Sequence, residues 1–149
     1  MSLFVWTGCS HQPVYERYYD VSHQTWDMND TARFEVEMTD TLGHYDVLLH
    51  IRHTNDYPYQ NLWLFTRSMA PDSSLAVDTL SCYLADNTGQ WLSDQTFSTF
   101  DMPLLYMENI RFPKKGMYQF EIRQGMRDSL LQGIRNIGLS IVKKEDVQE

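Results

Sequence analysis

Hydrophobic and polar residues alternate one by one over much of this chain, most clearly in residues 45–67. In residues 45–53, Tyr45, Val47, Leu49, Ile51 and His53 take one face, and Asp46, Leu48, His50 and Arg52 the other. In residues 61–67, Leu62, Leu64 and Thr66 oppose Asn61, Trp63, Phe65 and Arg67. A period of two is that of a β-strand with one face to cover, and both runs are rich in aromatic or branched residues. Asn55, Asp56 and Pro58 mark a chain reversal between them. The passage therefore predicts a long antiparallel strand pair at the centre of a sheet.

The same period recurs on both sides. Phe34, Val36 and Met38 alternate with Arg33, Glu35 and Glu37, the pattern of a strand with one solvated face. Asp78, Leu80, Cys82 and Leu84 share a face in residues 75–84, and Asp86-Asn87-Thr88-Gly89 is a hairpin signal. Residues 103–112 are apolar, Lys114-Lys115-Gly116 is a turn, and Tyr118, Phe120 and Ile122 point inward in the next strand. In residues 134–144, Ile137, Leu139 and Ile141 line one face; Gly138 and Ser140 lie opposite and admit a close approach. Residues 125–133, with Met126, Leu130 and Leu131, form the only helix-like passage. It is too short to hold alone, and a loop with one helical turn is the alternative. The sum is roughly seven to nine strands and little helix, hence an all-β, antiparallel two-sheet sandwich, jelly-roll-like, with a partly open barrel as the alternative.

Composition narrows the function more than the fold. The 149 residues are 42% hydrophobic and 13% aromatic, enough for one domain with a core. The formal charge of -8 speaks against nucleic acid as a partner, because such binding needs clustered cations. No apolar run reaches the roughly eighteen residues of a spanning helix. The start, MSLFVWTGCS, reads as the end of a lipoprotein signal: an apolar run, small residues, then Cys9, whose thiol would carry acyl chains. An ordinary hydrophobic leader is the alternative. The expected organisation is a signal remnant at 1–9, an extended leader at 10–30 docked through Val14, Tyr15, Tyr18 and Tyr19, a sandwich at 31–144 and a charged tail at 145–149. Trp26 should anchor the leader.

Standard chemistry finds few footholds. His50 and His53 fall on opposite faces of one strand and cannot share a metal ion, and no zinc spacing occurs. His53 is expected to hydrogen-bond the Asn55-Asp56 turn. Glu35, Asp46, Asp56, Asp78, Asp86 and Glu108 form no pair that sequence can identify, and most such residues cap turns. No serine stands in a nucleophile-elbow motif, no glycine loop cradles phosphate, and Cys82 reads as a buried thiol. No catalytic residue, metal site or cofactor is assigned. The aromatic residues are more suggestive: Tyr57 and Tyr59 flank Pro58 near Trp63, and Trp91 follows the hairpin turn. Such rings fill a core, anchor a protein partner or stack on sugars, and the three readings stay open.

The run His53-Thr54-Asn55-Asp56-Tyr57-Pro58-Tyr59, followed by Asn61-Leu62-Trp63-Leu64, resembles the gliding-motility lipoproteins of the GldH type from Bacteroidetes. Further matches follow in order: Asp78-Thr79-Leu80, Leu84-Ala85-Asp86, Gly89-Gln90-Trp91-Leu92, Gly116-Met117-Tyr118, Gln124-Gly125-Met126-Arg127 and Gly133-Ile134 to Gly138-Leu139. With Cys9 as lipid bearer, the resemblance covers nearly the whole chain. It implies a non-catalytic lipoprotein of the cell envelope that assists the gliding machinery and its associated surface secretion. Its partners would be envelope proteins of that machinery and the membrane, through the lipid. A carbohydrate-binding module on a jelly-roll frame is the alternative, using Tyr57, Tyr59, Trp63 or Trp91.

Overall fold

A computed structural model describes residues 12–145. The alternating runs become strands β1 (Tyr15–Asp20), β2 (Thr25–Asp27), β3 (Ala32–Met38), β4 (Tyr45–His53), β5 (Asn61–Met69) and β6 (Leu75–Tyr83). The second half supplies β7 (Gln95–Thr96), β8 (Thr99–Ile110), β9 (Gly116–Gln124), β10 (Leu130–Gln132) and β11 (Ile134–Lys143). One sheet has the order β1-β11-β4-β8-β7, the other β3-β9-β5-β6, and β10 pairs with β2 in a short ribbon. Every pairing is antiparallel. The result is the expected all-β sandwich.

The core follows from the period of two. Val47, Leu49 and Ile51 of β4 and Ile137, Leu139 and Ile141 of β11 meet Leu62 and Leu64 of β5, Phe34 and Val36 of β3, and Phe120 and Ile122 of β9. All of these are buried. At roughly 1.5–3 kcal/mol for each large apolar side chain, this cluster is the main drive for folding. Trp26 is buried too, its Nε1 donating to the Asp30 carbonyl at 3.0 Å. Within the leader, Tyr15–Asp20 pairs residue by residue with β11.

Two expectations are corrected. β4 and β5 do not pair; they lie in different sheets, and residues 54–60 carry the chain across the core. Alternation states which face of a strand is covered but not by which neighbour, and each strand found two better partners. The passage 125–133 contains no helix: Leu130–Gln132 is β10, with Leu131 opposite Trp26 in register. Two buried side chains on neighbouring short strands outweigh a helical turn too short to sustain itself.

The crossing depends on Gly133. Thr54 N–H donates to the Gly133 carbonyl at 2.8 Å. A Cβ on Gly133 would meet the Tyr57 Cα at 2.6 Å, and its φ is +85°. Gly89, in the hairpin turn, has the same φ of +85° with nothing within 4 Å of a built Cβ. The pair separates backbone conformation from space. Gly89→Ala should cost about 1 kcal/mol for left-handed strain. Gly133→Ala should cost on the order of 3 kcal/mol and lower Tm by roughly 10 °C, since backbone must move as well. Equal losses of Tm in the two variants would show that the contact with Tyr57 is unimportant.

Candidate functional site

The outward face of β5 is where the chain spends apolar surface on solvent. Trp63 and Phe65, opposite the buried Leu62 and Leu64, are 43% and 44% exposed. Tyr59, just before β5, is 38% exposed. Together with Met126 and Asp128 they line a groove of about 480 Å³. Its rim is held by the residues after β9. Buried Gln124 donates from Nε2 to the Asp128 carbonyl at 2.6 Å and accepts the Met126 N–H at 2.8 Å. The Gly125 N–H donates to the Trp63 carbonyl at 2.7 Å, and a Cβ on Gly125 would come within 3.2 Å of the Phe65 ring. The Trp63 N–H meets the Met126 sulfur at 3.3 Å. Tyr59 places its hydroxyl 2.7 and 2.8 Å from the two carboxylate oxygens of Asp128. That hydrogen bond to Asp128 raises the phenol above its usual range. The groove is thus apolar in its floor, and its one carboxylate is already engaged.

The four singled-out rings part company here. Tyr57 is 3% exposed, and its hydroxyl donates inward to the Asn61 carbonyl at 2.6 Å, so it belongs to the core. Trp91 is half-buried, its Nε1 donating to Asn55 Oδ1 at 2.8 Å. Only Tyr59 and Trp63 reach the groove. Cys9 lies outside the described residues.

At the end of β4, His53 is packed among rings. Its centroid lies 4.6 Å from Trp91 and 5.2 Å from Phe100, nearly parallel to the latter at 13°. Its Nδ1 stands 3.2 Å from the Thr54 carbonyl rather than bonding the Asn55-Asp56 turn as expected. The ring points inward, so its own chain neighbour is in reach; the turn is closed instead by Thr54 Oγ1, which accepts the Asp56 N–H at 3.2 Å. Since the carbonyl can only accept, Nδ1 carries the proton, and Nε2 is buried without a partner. Burial lowers the imidazole below its usual 6.5, against a smaller opposing effect of the Thr54 carbonyl.

One cluster was invisible in sequence. On the outer face of β11, β4 and β8, His50 Nε2 lies 3.0 Å from Ser140 Oγ, and His50 Nδ1 lies 3.4 Å from Asp101. The order of residue types is that of a hydrolase triad, but the setting is not. Ser140 is 4% exposed, and β11 is paired on both sides, by β1 and β4. Its backbone N–H groups belong to those ladders, which leaves no free pair to hold an oxyanion. Asp101 also takes Arg52, whose guanidinium covers the Tyr18 ring at 3.8 Å. Tyr18 in turn rests on Gly138, where a Cβ would meet its ring at 2.7 Å, the close approach anticipated for that face. Burial pushes the Cys82 thiol up to about 11, far from a reactive thiolate. Among the described residues no three His, Cys, Asp or Glu side chains gather as a metal site.

Fold and site define an all-β sandwich domain that displays aromatic rings on the outer face of β5. The GldH lipoprotein family model matches residues 13–141, and the chain belongs to the GldH lipoprotein family. It is 30% identical to a gliding motility lipoprotein GldH homolog of Christiangramia forsetii, over 97% of this chain and 93% of that protein. It is 27% identical to the gliding motility lipoprotein GldH of Flavobacterium johnsoniae, over 93% and 89%. Among solved structures, the infectious bursal disease virus VP2 subviral particle matches at 11% identity and a TM-score of 0.32, over 87% of this chain and 33% of that one. That score is too low for a shared fold to be read from it.

The buried imidazole makes stability depend on pH. The folded group resists protonation, so its contribution is complete above the unfolded value of 6.5 and is lost as pH falls below it. The loss can reach about 1.4 kcal/mol per pH unit until the folded group titrates. His53→Phe keeps the stacking and removes the proton. Thermal melts from pH 7 to 5 should fall more steeply for the parent than for this variant; parallel curves would refute the assignment.

Proposed function

We propose that the chain is a lipid-anchored, non-catalytic accessory component of the gliding-motility machinery and its associated surface secretion, working in the cell envelope by binding other envelope proteins. Family membership supports the setting, and Cys9 is the residue that would carry the lipid. The observation that carries the contact role is the placement of the rings. The chain comes into the sandwich at Val14, whose N–H donates to the Ile141 carbonyl, and Ile141 lies opposite Val47 near the start of β4. Tyr59 and Trp63 follow the crossing from the other end of β4, at His53, roughly 20 Å from Val47 at strand rise. A lipid at Cys9 would hold one end at the membrane and present the rings at the other.

Phe97 belongs to the same far end. It caps the β7–β8 turn, one bond beyond Thr96, with 96% of its surface exposed and φ of +57°. A large apolar side chain held in solvent at positive φ contributes little to this fold. A protein surface suits the groove: its floor is Trp63, Phe65 and Met126, Asp128 is occupied by Tyr59, and Asn61 and Arg127 supply the remaining polar lining.

The test uses the native host. Cys9→Ala should move the protein from membranes to the soluble fraction. A photocrosslinking residue at Trp63 should yield one discrete adduct with an envelope protein. In a separate binding assay on that partner, Trp63→Ala should weaken association by about 2 kcal/mol or more, the usual loss at an aromatic anchor. Phe97→Asn should weaken it without lowering Tm. Glycan-array binding that depends on Trp63, with no protein adduct, would overturn the proposal.

A further inference from the structure

The sandwich is closed on one side and open on the other. On the closed side the edge strands β1 and β3 lie against each other. On the open side stand β7, only two residues long, and β6, nine residues long. The four edges are not equally protected. β1 carries Glu16, Arg17 and Asp20, and β3 carries Arg33, Glu35 and Glu37. β6 reads LAVDTLSCY, with one charge and neither proline, glycine nor lysine. Exposed edges are normally blunted by charge, brevity or cover, and β6 has almost none of these. Its first five residues are exposed on both faces, Val77 at 72%. It pairs with β5 alone, so its other rim presents unpaired N–H and C=O groups.

The surface beside this edge has a sign. Arg67 lies opposite Val77 and Glu121 in register, Arg33 lies opposite Glu121, and Arg123 lies opposite Phe65. These side chains line a second cavity of about 470 Å³ on the outer face. Arg33 pairs with Glu121 at 3.5 Å, while Arg67 and Arg123 make no ion pair among the described residues. Three arginines against one glutamate stand out in a chain of net charge -8. A strand added to β6 would lie two strand spacings from Arg67, roughly 10 Å, within the joint reach of an arginine and a glutamate.

We propose that β6 is a docking edge for an extended segment of a partner protein, in which apolar residues facing the core alternate with acidic residues facing the arginines. The partner's backbone would continue the sheet, and its apolar side chains would cover the open flank near Leu80 and Cys82. A second copy of this chain fits less well. Antiparallel pairing of β6 with itself would turn the two chains end for end, so both could not be tethered to one membrane; this clause rests on the lipid anchor proposed above.

The probe is a labelled nine-residue peptide alternating valine and glutamate, against its valine–lysine counterpart, with the full chain. Anisotropy should show the glutamate peptide binding at least tenfold tighter, and amide exchange should slow only in residues 75–83. Val77→Glu should weaken binding of the glutamate peptide tenfold or more, and Arg67→Glu should reverse the preference between the peptides. Equal binding of both peptides, protection elsewhere, or a dimer crosslinked through β6 would overturn the proposal. The assay needs neither lipid nor native machinery. Its failure is therefore distinct from failure of the Cys9 and Trp63 tests.

Discussion

Residues 54–60 must leave the end of one sheet and begin the other, and the path lies across Gly133. Thr54 is held by the Gly133 carbonyl, and the backbone at Tyr57 occupies the space where any other residue would carry its Cβ. Tyr57 then turns its ring into the core and gives its hydroxyl to the Asn61 carbonyl, which fixes the first residue of β5. From there the period of two does the rest. Leu62 and Leu64 go in; Trp63 and Phe65 go out. A slip of one residue would exchange those faces. The position of the exposed rings is thus set by a glycine about seventy residues further on in sequence, through a contact between backbones.

This division explains what could be read from the chain and what could not. The inward faces of β3, β4, β5, β9 and β11 were legible because burial repeats every second residue. The pairing of β4 was not, since the same inward face serves with any neighbour. Residues 125–133 misled for a related reason. Leu130 and Leu131 suggested a helical stripe, yet Leu131 is buried against a strand a hundred residues earlier while Leu130 is exposed. Tyr57 and Tyr59 flank the same proline but face core and solvent respectively, a distinction set by Gly133 and Asp128 and by nothing adjacent. The pairing of His50 with Ser140 spans 90 positions and has no local signature.

The polar groups share a habit that bears on function. His50 closes on Ser140, Arg52 on Asp101, Tyr59 on Asp128 and Trp91 on Asn55. Each such closure removes a group that a substrate or sugar would need. The backbone around Ser140 is consumed by ladders on both sides. Beside these closed pairs the surface displays large apolar side chains: Trp63, Phe65, Val77 and Phe97. A surface of that kind interacts by excluding water, which suits association with another protein.

The open flank carries the same logic further. Joining β6 to β7 or β8 would merge the two sheets along that side and remove those two edges. β7 stops after two residues, however, and the first half of β6 stands clear of the core on both faces. Every apolar side chain left there forgoes roughly 25 cal/mol per Å² that closure would have recovered. An added strand recovers it instead, and supplies backbone partners for the free rim at the same time. The far-end rings and the open edge are therefore two expressions of one property: the fold completes its core on one side and leaves the other to be completed from outside.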